Sequence, residues 1–279
     1  MPCIISCFTN CYGPDGVRAA VAHIRDAGIH YLELALRGHN FGGLIIPESA
    51  VVTEKDDNAT VQEFLELLSE HDVKVSGCNV GGADMRTVDG FELTKRRIHF
   101  AKKWFDVDVV VSGASQPENA EQRALVVKHL KQLGDVAQSL GVVIALETHK
   151  GPTQNASAML MLMSEVDHPS VRLNFDTGNI AYYNEGVDPV DELVKVKELV
   201  KNVHVKDNRG GLEDWYFPAL GDGGAVDFRR VKEVLDGVGY RGAYTIEIEG
   251  IGGEAEPGLA GRQGRVKRSV EHLRACGFD

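Results

Sequence analysis

Residues 142–149 read VVIALETH: a short apolar run that ends on a carboxylate, Glu147, and a polar loop. The same grammar returns three times further along the chain. Residues 171–179 read VRLNFDTGN, 201–207 read KNVHVKD and 243–250 read AYTIEIEG. Each strand-like run ends on a metal-binding residue type, namely Glu147, Asp176, His204 and Glu247. The first two gaps between these residues match one βα unit of about 30 residues, and the third is one such unit with a longer loop. A closed barrel aims the C-terminal ends of successive strands at one point, so this spacing predicts convergence of the four side chains.

Working outward, the pattern is strand, loop, amphipathic helix, repeated. CIISCF, HYLELAL, VKVSGCNV and DVVVSGA supply four earlier strands. VRAAVAHIRDAG, TVQEFLELLSEHD, LTKRRIHFAKKWF and residues 120–140 carry apolar residues at helical spacing. SAMLMLMSEV, VDELVKVKELV, FRRVKEVLDGVG and GRVKRSVEHLRACG complete the helices. MLMLM at 159–163 reads as a core-facing helix rather than a methionine metal box. The strands are short, Val/Ile-rich and nearly continuous in apolar character, as parallel strands buried on both faces are. Eight such units predict an α/β chain folded as a single (β/α)8 TIM barrel over residues 1–279. A doubly wound open sheet would place a glycine-rich phosphate loop after the first strand, and none is present there.

Composition narrows the function classes. The chain has 279 residues, 43% of them hydrophobic and 25% charged, as expected of a globular domain with a substantial core. A net charge of −11 argues against a nucleic-acid or anionic-membrane surface. The five cysteines, Cys3, Cys7, Cys11, Cys78 and Cys276, form no CxxC pair, which suggests reduced thiols and a cytoplasmic setting. The start, MPCIISCFTN, has no basic segment followed by a long apolar run, and no stretch approaches a membrane span. The expected partner is a small polyhydroxylated molecule, and a homo-oligomer is compatible with such a barrel.

Three carboxylates and one imidazole suit one hard or borderline divalent ion, Mn, Mg or Co ahead of Fe or Zn. Such an ion keeps positions open for a substrate that chelates through two oxygens. It also stabilises charge when a proton alpha to a carbonyl is removed. The enediolate then has three fates. Protonation on the opposite face gives an epimer, protonation on the neighbouring carbon gives an isomer, and loss of a beta hydroxyl gives dehydration.

LETHKG, NFDTGN, VHVKD, LGDGGAVDF and GYRGAYTIEIEG, with YLEL near the start, resemble the xylose-isomerase-like TIM barrels, a superfamily of sugar phosphate isomerases/epimerases. The resemblance covers nearly the whole chain. It implies one divalent metal on Glu147, Asp176, His204 and Glu247, with Glu147 and Glu247 as acid and base on opposite sides of the substrate carbon. The first functional expectation is therefore an isomerase or epimerase of a small keto sugar. The second is a dehydratase of an inosose or dehydroshikimate type of substrate. In ketose 3-epimerases the strand-six motif usually reaches a histidine three residues after the aspartate; here that position is Asn179, a departure that points toward dehydratase-like members. The arginine after the metal histidine of epimerases is matched approximately by Arg209. The DNA-repair endonucleases of this barrel would need further histidine and carboxylate ligands and a basic face. A non-catalytic sugar-binding barrel would need no metal.

Around the four ligands, Glu33, Asn79, His149, Lys206 and Arg209 are expected to contact substrate, because loops and strand ends at this face line the pocket, with support of a ligand as the alternative for Glu33. Asn179, Asp207 and Glu249 are expected to support the ligands, Asp207 by orienting a histidine. Glu249 shares a strand face with Glu247 by period two and is the alternative ligand. His39 and Asn40 read as solvated loop residues. Trp215, Tyr216 and Phe217 read as a sugar-stacking surface, a lid or a subunit contact.

Overall fold

Eight parallel strands close on themselves in the order β1 (Ile4–Phe8), β2 (Tyr31–Ala35), β3 (Lys74–Asn79), β4 (Val109–Ser112), β5 (Val143–Glu147), β6 (Val171–Asp176), β7 (Val200–Val205) and β9 (Ala243–Ile246). The structure is a computed structural model that describes residues 3–36 and 51–279. His39 and Asn40 lie outside the described residues. A two-stranded antiparallel pair, β8 (Tyr216–Phe217) with β10 (Gly250–Ile251), joins the loops that leave β7 and β9.

The helices wrap the barrel as α1 (Gly16–His23), α2 (Asn58–Glu70), α3 (Val88–Phe105), α4 (Ala120–Ser139), α5 (Ala156–Val166), α6 (Thr177–Tyr183), α7 (Pro189–Val196), α8 (Phe228–Asp236) and α9 (Leu259–Ala275). Their starts are written locally. Asp57, Thr87, Asn119, Asn155, Asp188 and Asp227 each accept a backbone N–H of the first turn, the role for which short polar side chains are preferred. Pro189 follows its cap directly, where a missing N–H costs nothing.

Two expectations needed adjustment. The segment VRAAVAHIRDAG ends as a 3-10 turn over Ile24–Ala27, closed by left-handed Gly28. The link between β6 and β7 holds two helices, because Asp176 caps a short α6 before Asp188 caps α7. Within α5, Met159, Leu162 and Met163 are buried while Leu160 and Met161 are exposed, so only one face of MLMLM joins the core. All five cysteines are free thiols. Among the described residues, no helix is long and apolar enough to cross a membrane.

Strand register decides what faces the barrel axis. The β6–β7 pairing slips between Leu173 and Asn174, so that Asn174 faces Asn202 and Asp176 faces His204. Had the Leu173–Val200 register continued unbroken, Asp176 would stand opposite Val203. A one-residue slip moves the whole side-chain set to the other face, so this irregularity is what lets Asp176 and His204 meet. A second slip, between Leu32 and Glu33 of β2, falls beside the glutamate that faces His204 from across the barrel.

Candidate metal centre

The four strand-end residues converge as the spacing predicts. Glu147, Asp176, His204 and Glu247 each offer a ligand atom, and these atoms lie within 4.8 Å of one another. His204 Nδ1 stands 2.8 Å from Glu247 Oε2, 3.3 Å from Glu147 Oε1 and 4.0 Å from Asp176 Oδ2.

Neighbouring residues aim three of the four candidate ligands. Asp176 Oδ1 accepts the N–H groups of Gly178 and Asn179 at 2.9 and 2.8 Å, which caps α6 and leaves Oδ2 directed at the cluster. The imidazole of His204 is held from behind, with Nε2 3.0 and 3.1 Å from the two oxygens of Glu33. Donation of Nε2–H to Glu33 fixes the tautomer that presents a lone pair on Nδ1. Asn202 Nδ2 donates to Glu33 Oε2 at 3.0 Å and steadies that carboxylate in turn. Asn10 Nδ2 donates to Glu247 Oε1 at 2.9 Å, leaving Oε2 for the cluster.

These contacts provide a test of fit for a metal. Although His204 Nδ1 and Glu247 Oε2 lie close, neither they nor Asp176 Oδ2 make a well-aligned hydrogen bond among the described residues, and all three are buried. Buried polar atoms without partners are costly, and three that face one point fit a cation held between them. The charge balance agrees. Glu33, Glu147, Asp176, Glu247 and Glu249 crowd about one lysine and one histidine. Burial works against protonating His204, yet the carboxylates of Glu33, Glu247 and Glu147 outweigh it and raise its pKa well above the usual value. An oxygen-rich set with one nitrogen suits a hard or borderline divalent ion.

Lys206 is the dominant cation of the site. Its side chain is buried, with Nζ 2.6 Å from Glu249 Oε2 and 3.7 Å from both Asp176 Oδ2 and Glu247 Oε1. The Phe217 ring lies 4.3 Å from that ammonium. Burial opposes the charge, but Glu247, Glu249 and Asp176 together hold the lysine pKa well above its ordinary value. The DTG and VKD segments are clamped together, since Lys206 N donates to Thr177 Oγ1 at 3.0 Å and that hydroxyl donates to Lys206 O at 2.6 Å. Gly178 is required by this approach, because a Cβ there would stand 2.8 Å from Lys206 Cγ.

The remaining expected residues fall into distinct places. His149 sits at the mouth, its Nε2 3.0 Å from the Tyr183 hydroxyl. Asn79 is buried, accepts Gly81 N–H at 3.1 Å and keeps Nδ2 free. Asn179 donates from Nδ2 to Thr148 O at 3.0 Å, tying α6 to the end of β5. Glu33, read as either meeting substrate or supporting a ligand, takes the second place: it faces the back of His204 with both oxygens engaged and a relative exposure of 1%. Two readings are corrected. Asp207, expected to orient a histidine, instead accepts the N–H groups of Asn208, Gly221 and Val226 and so folds the loop after β7. That grip explains LGDGGAVDF, since a Cβ on Gly224 would stand 1.9 Å from Asp207 Oδ1. Arg209 is not brought to the cavity around the ligands; it is exposed, pairs with Asp214 and lies 4.4 Å over the Tyr216 ring.

Asn10 escaped the sequence reading. It lies in a 3-10 turn after β1 and reaches Glu247 across the closure of the barrel. An asparagine in FTNCYG has no spacing signal, and only the β1–β9 pairing brings it there. Trp215 and Phe217 of the aromatic segment stand beside the site, while Tyr216 lies under Arg209. Phe217 is buried beneath Lys206, and Trp215 lines the cavity edge-on to Tyr182 at 5.7 Å.

Comparison with known proteins agrees with this architecture. Inosose dehydratase of Clostridium beijerinckii is 31% identical over 160 residues, covering 52% of this chain and 53% of that protein. The chain thus spans about half the length of the curated relatives it matches. Among solved structures, a xylose isomerase-like TIM barrel protein from Mycobacterium smegmatis in complex with magnesium superposes with a TM-score of 0.74 at 16% identity, covering 100% of this chain and 98% of that one. D-allulose 3-epimerase from Methylomonas sp. in complex with D-allulose gives a TM-score of 0.72 at 19% identity, covering 98% and 97%. At these identities the likeness speaks for the fold. The family model described as xylose isomerase-like TIM barrel matches residues 21–276, and with a closed eight-stranded barrel carrying its acidic and imidazole cluster at the strand ends, this chain belongs to that family.

Proposed function

We propose that this protein is a divalent-metal-dependent lyase that removes the proton alpha to the carbonyl of a small polyhydroxylated ring ketone and expels the beta hydroxyl as water. The observation that carries this reading is the unequal state of the two glutamates. Glu247 is engaged on Oε1 by Asn10 and flanked by Lys206, whereas the Glu147 side chain lies open to the cavity with 19% exposure. A reaction that needs one mobile carboxylate fits such a site better than one that needs two.

In this scheme Glu147, Asp176, His204 and Glu247 hold the ion. When bound it supplies Lewis-acid polarisation of the substrate carbonyl and offsets the charge that develops on its oxygen. Glu147 takes the alpha proton, a task for a carboxylate placed within reach of the C–H bond. The C–H electron pair becomes the carbon–carbon double bond as the beta C–O bond breaks. Glu147 then hands its proton to the departing oxygen, so the products are an unsaturated ketone and water. The Lys206 ammonium donates a hydrogen bond to that oxygen and lowers the cost of the charge it carries as it leaves. Trp215 and Tyr182 wall the cavity. The 31% identity to an inosose dehydratase supports this outcome.

Epimerisation or isomerisation is the second reading, favoured by the presence of a second glutamate at the cluster. It needs Glu247 to exchange a proton with substrate while held by Asn10. The test is to incubate the metal-loaded protein with 2-keto-myo-inositol, 3-dehydroshikimate and a panel of ketoses in deuterated buffer. Growth of conjugated-enone absorbance is expected. Deuterium entering an epimerised or isomerised ketone with no unsaturated product would sink the lyase reading.

A further inference from the structure

The cavity over the ligands does not end at Glu147. It has a volume of about 380 Å³ and is bounded by Asn10, Lys206, Trp215, Glu247 and Glu249. A second cavity of about 670 Å³ lies over the ends of β3 and β4, bounded by Asn79, Arg86, Gly113, Ser115 and Glu118. Gln116, Glu147, His149 and Lys150 line both, so the two spaces meet at the open glutamate. Cavities of about 300–1,000 Å³ are the size that takes a small-molecule ligand. The smaller space is within that range by itself, and a single ring bound there leaves the larger one unfilled.

The walls of the larger space indicate what fills it. Asn79 is 1% exposed and its Nδ2 has no partner, while its oxygen is fixed by Gly81 N–H. Among the described residues this amide is a buried donor left without an acceptor at the wall of the cavity. The described cations here already have partners. Arg86 donates to both oxygens of Asp84, to Gln116 O and to Glu118 Oε1, and Lys150 pairs with Glu213 at 3.2 Å. Among the described residues a phosphate or carboxylate would find no unpaired cation, and Asp84 and Glu118 would repel it. A neutral polyhydroxylated group meets no such penalty.

We infer that the substrate carries a second, uncharged polyhydroxylated ring, which occupies the β3–β4 cavity while the ketone ring lies at the metal residues. This rests on the reading of the smaller cavity as a site for a ring ketone. Gly113 offers a clean probe, because a Cβ built there has no heavy atom within 4 Å and a larger side chain grows into open space. The experiment measures, by calorimetry on the metal-loaded protein, dissociation constants for 2-keto-myo-inositol, for a glucosyl disaccharide oxidised to a ketone in one ring, and for the same disaccharide unoxidised. The two-ring ketone is expected to bind at least about tenfold tighter than the one-ring ketone. Gly113→Leu, shown to be folded by its unchanged melting temperature, should remove that advantage and leave the one-ring affinity intact. Gly113→Ala gives a graded loss and carries the test if the leucine variant does not fold. Equal binding of both ketones, or an unchanged preference in the variants, overturns the inference. The unoxidised disaccharide separates the two claims. Its binding to wild type but not to Gly113→Leu, without turnover of either ketone, sinks the lyase reading and keeps the second-ring site. Absence of any disaccharide binding overturns the site.

Discussion

The two halves of the barrel contribute to the site in different currencies. Strands β5, β6, β7 and β9 present charged side chains that can ligate and move protons, Glu147, Asp176, His204 and Glu247. The strands and loops of the first half present groups that hold those side chains or shape the space beside them. Asn10 reaches Glu247, Glu33 reaches His204, and Asn79 faces the adjoining cavity. A barrel closes on its axis, so residues far apart in the chain become neighbours across it. Chemistry is thereby concentrated in one half, and its precision is delegated to the other.

Loss of a proton-carrying group should cost most. Glu147→Gln is expected to lower kcat by about 10³-fold, within the range general acid–base catalysis contributes, with the fold retained. Steady-state kinetics beside circular dichroism checks this, and near-normal turnover would remove Glu147 from the role assigned to it. Glu33→Ala tests the supporting half. It strips the partner from a buried imidazole nitrogen, so divalent-ion affinity should fall about 10–100-fold, as measured by competition with a chelating dye. If its effect on turnover at saturating metal equalled that of Glu147→Gln, the division between halves would fail.

Chelation of the metal from the wild-type protein should lower the melting temperature, because Asp176 Oδ2, His204 Nδ1 and Glu247 Oε2 return to being buried without partners. Added Mg or Mn should restore it, and an unchanged thermal transition would argue that no ion is held there. Asn10→Ala should reduce kcat by about tenfold with little change in metal content, since it loosens one carboxylate without removing a ligand. A variant that instead lost its metal would show Asn10 to be part of the binding shell. Arg209→Ala should leave KM, kcat and stability within error, because its pairing with Asp214 is at the exposed surface. A raised KM would restore Arg209 to the substrate site.

The legible part of the site was the part that repeats. Four strands that each end in a ligand type form a period, and the turn chemistry of DTGN and LGDGGAVDF marks the same end of the barrel. The opaque part has no period. Glu33 lies on a strand with the same appearance as its neighbours, and its partner is 171 residues away. Asn10 and Glu247 are 237 residues apart. Neither pair has a local signature, because side chains that meet across the axis, as Glu33 and His204 do, or across the closing β1–β9 seam, as Asn10 and Glu247 do, are set by closure and not by the chain that immediately precedes them.

From the sequence alone came the (β/α)8 plan and the run of strand ends that the structure gathers into one cluster able to hold a metal ion, since alternation of apolar runs and the donor atoms of residue types are local properties; the choice of Glu247 over Glu249 came from the family resemblance. Only the tertiary structure decided that Asp176 meets His204, through a slip in the β6–β7 register. It also decided that Glu33 serves His204, that Asp207 serves a loop, and that one glutamate is held while the other stands open. The physical reason is the same in each case. A side chain's chemistry is carried by its residue type, but its role depends on which buried partners remain unsatisfied once the barrel has closed.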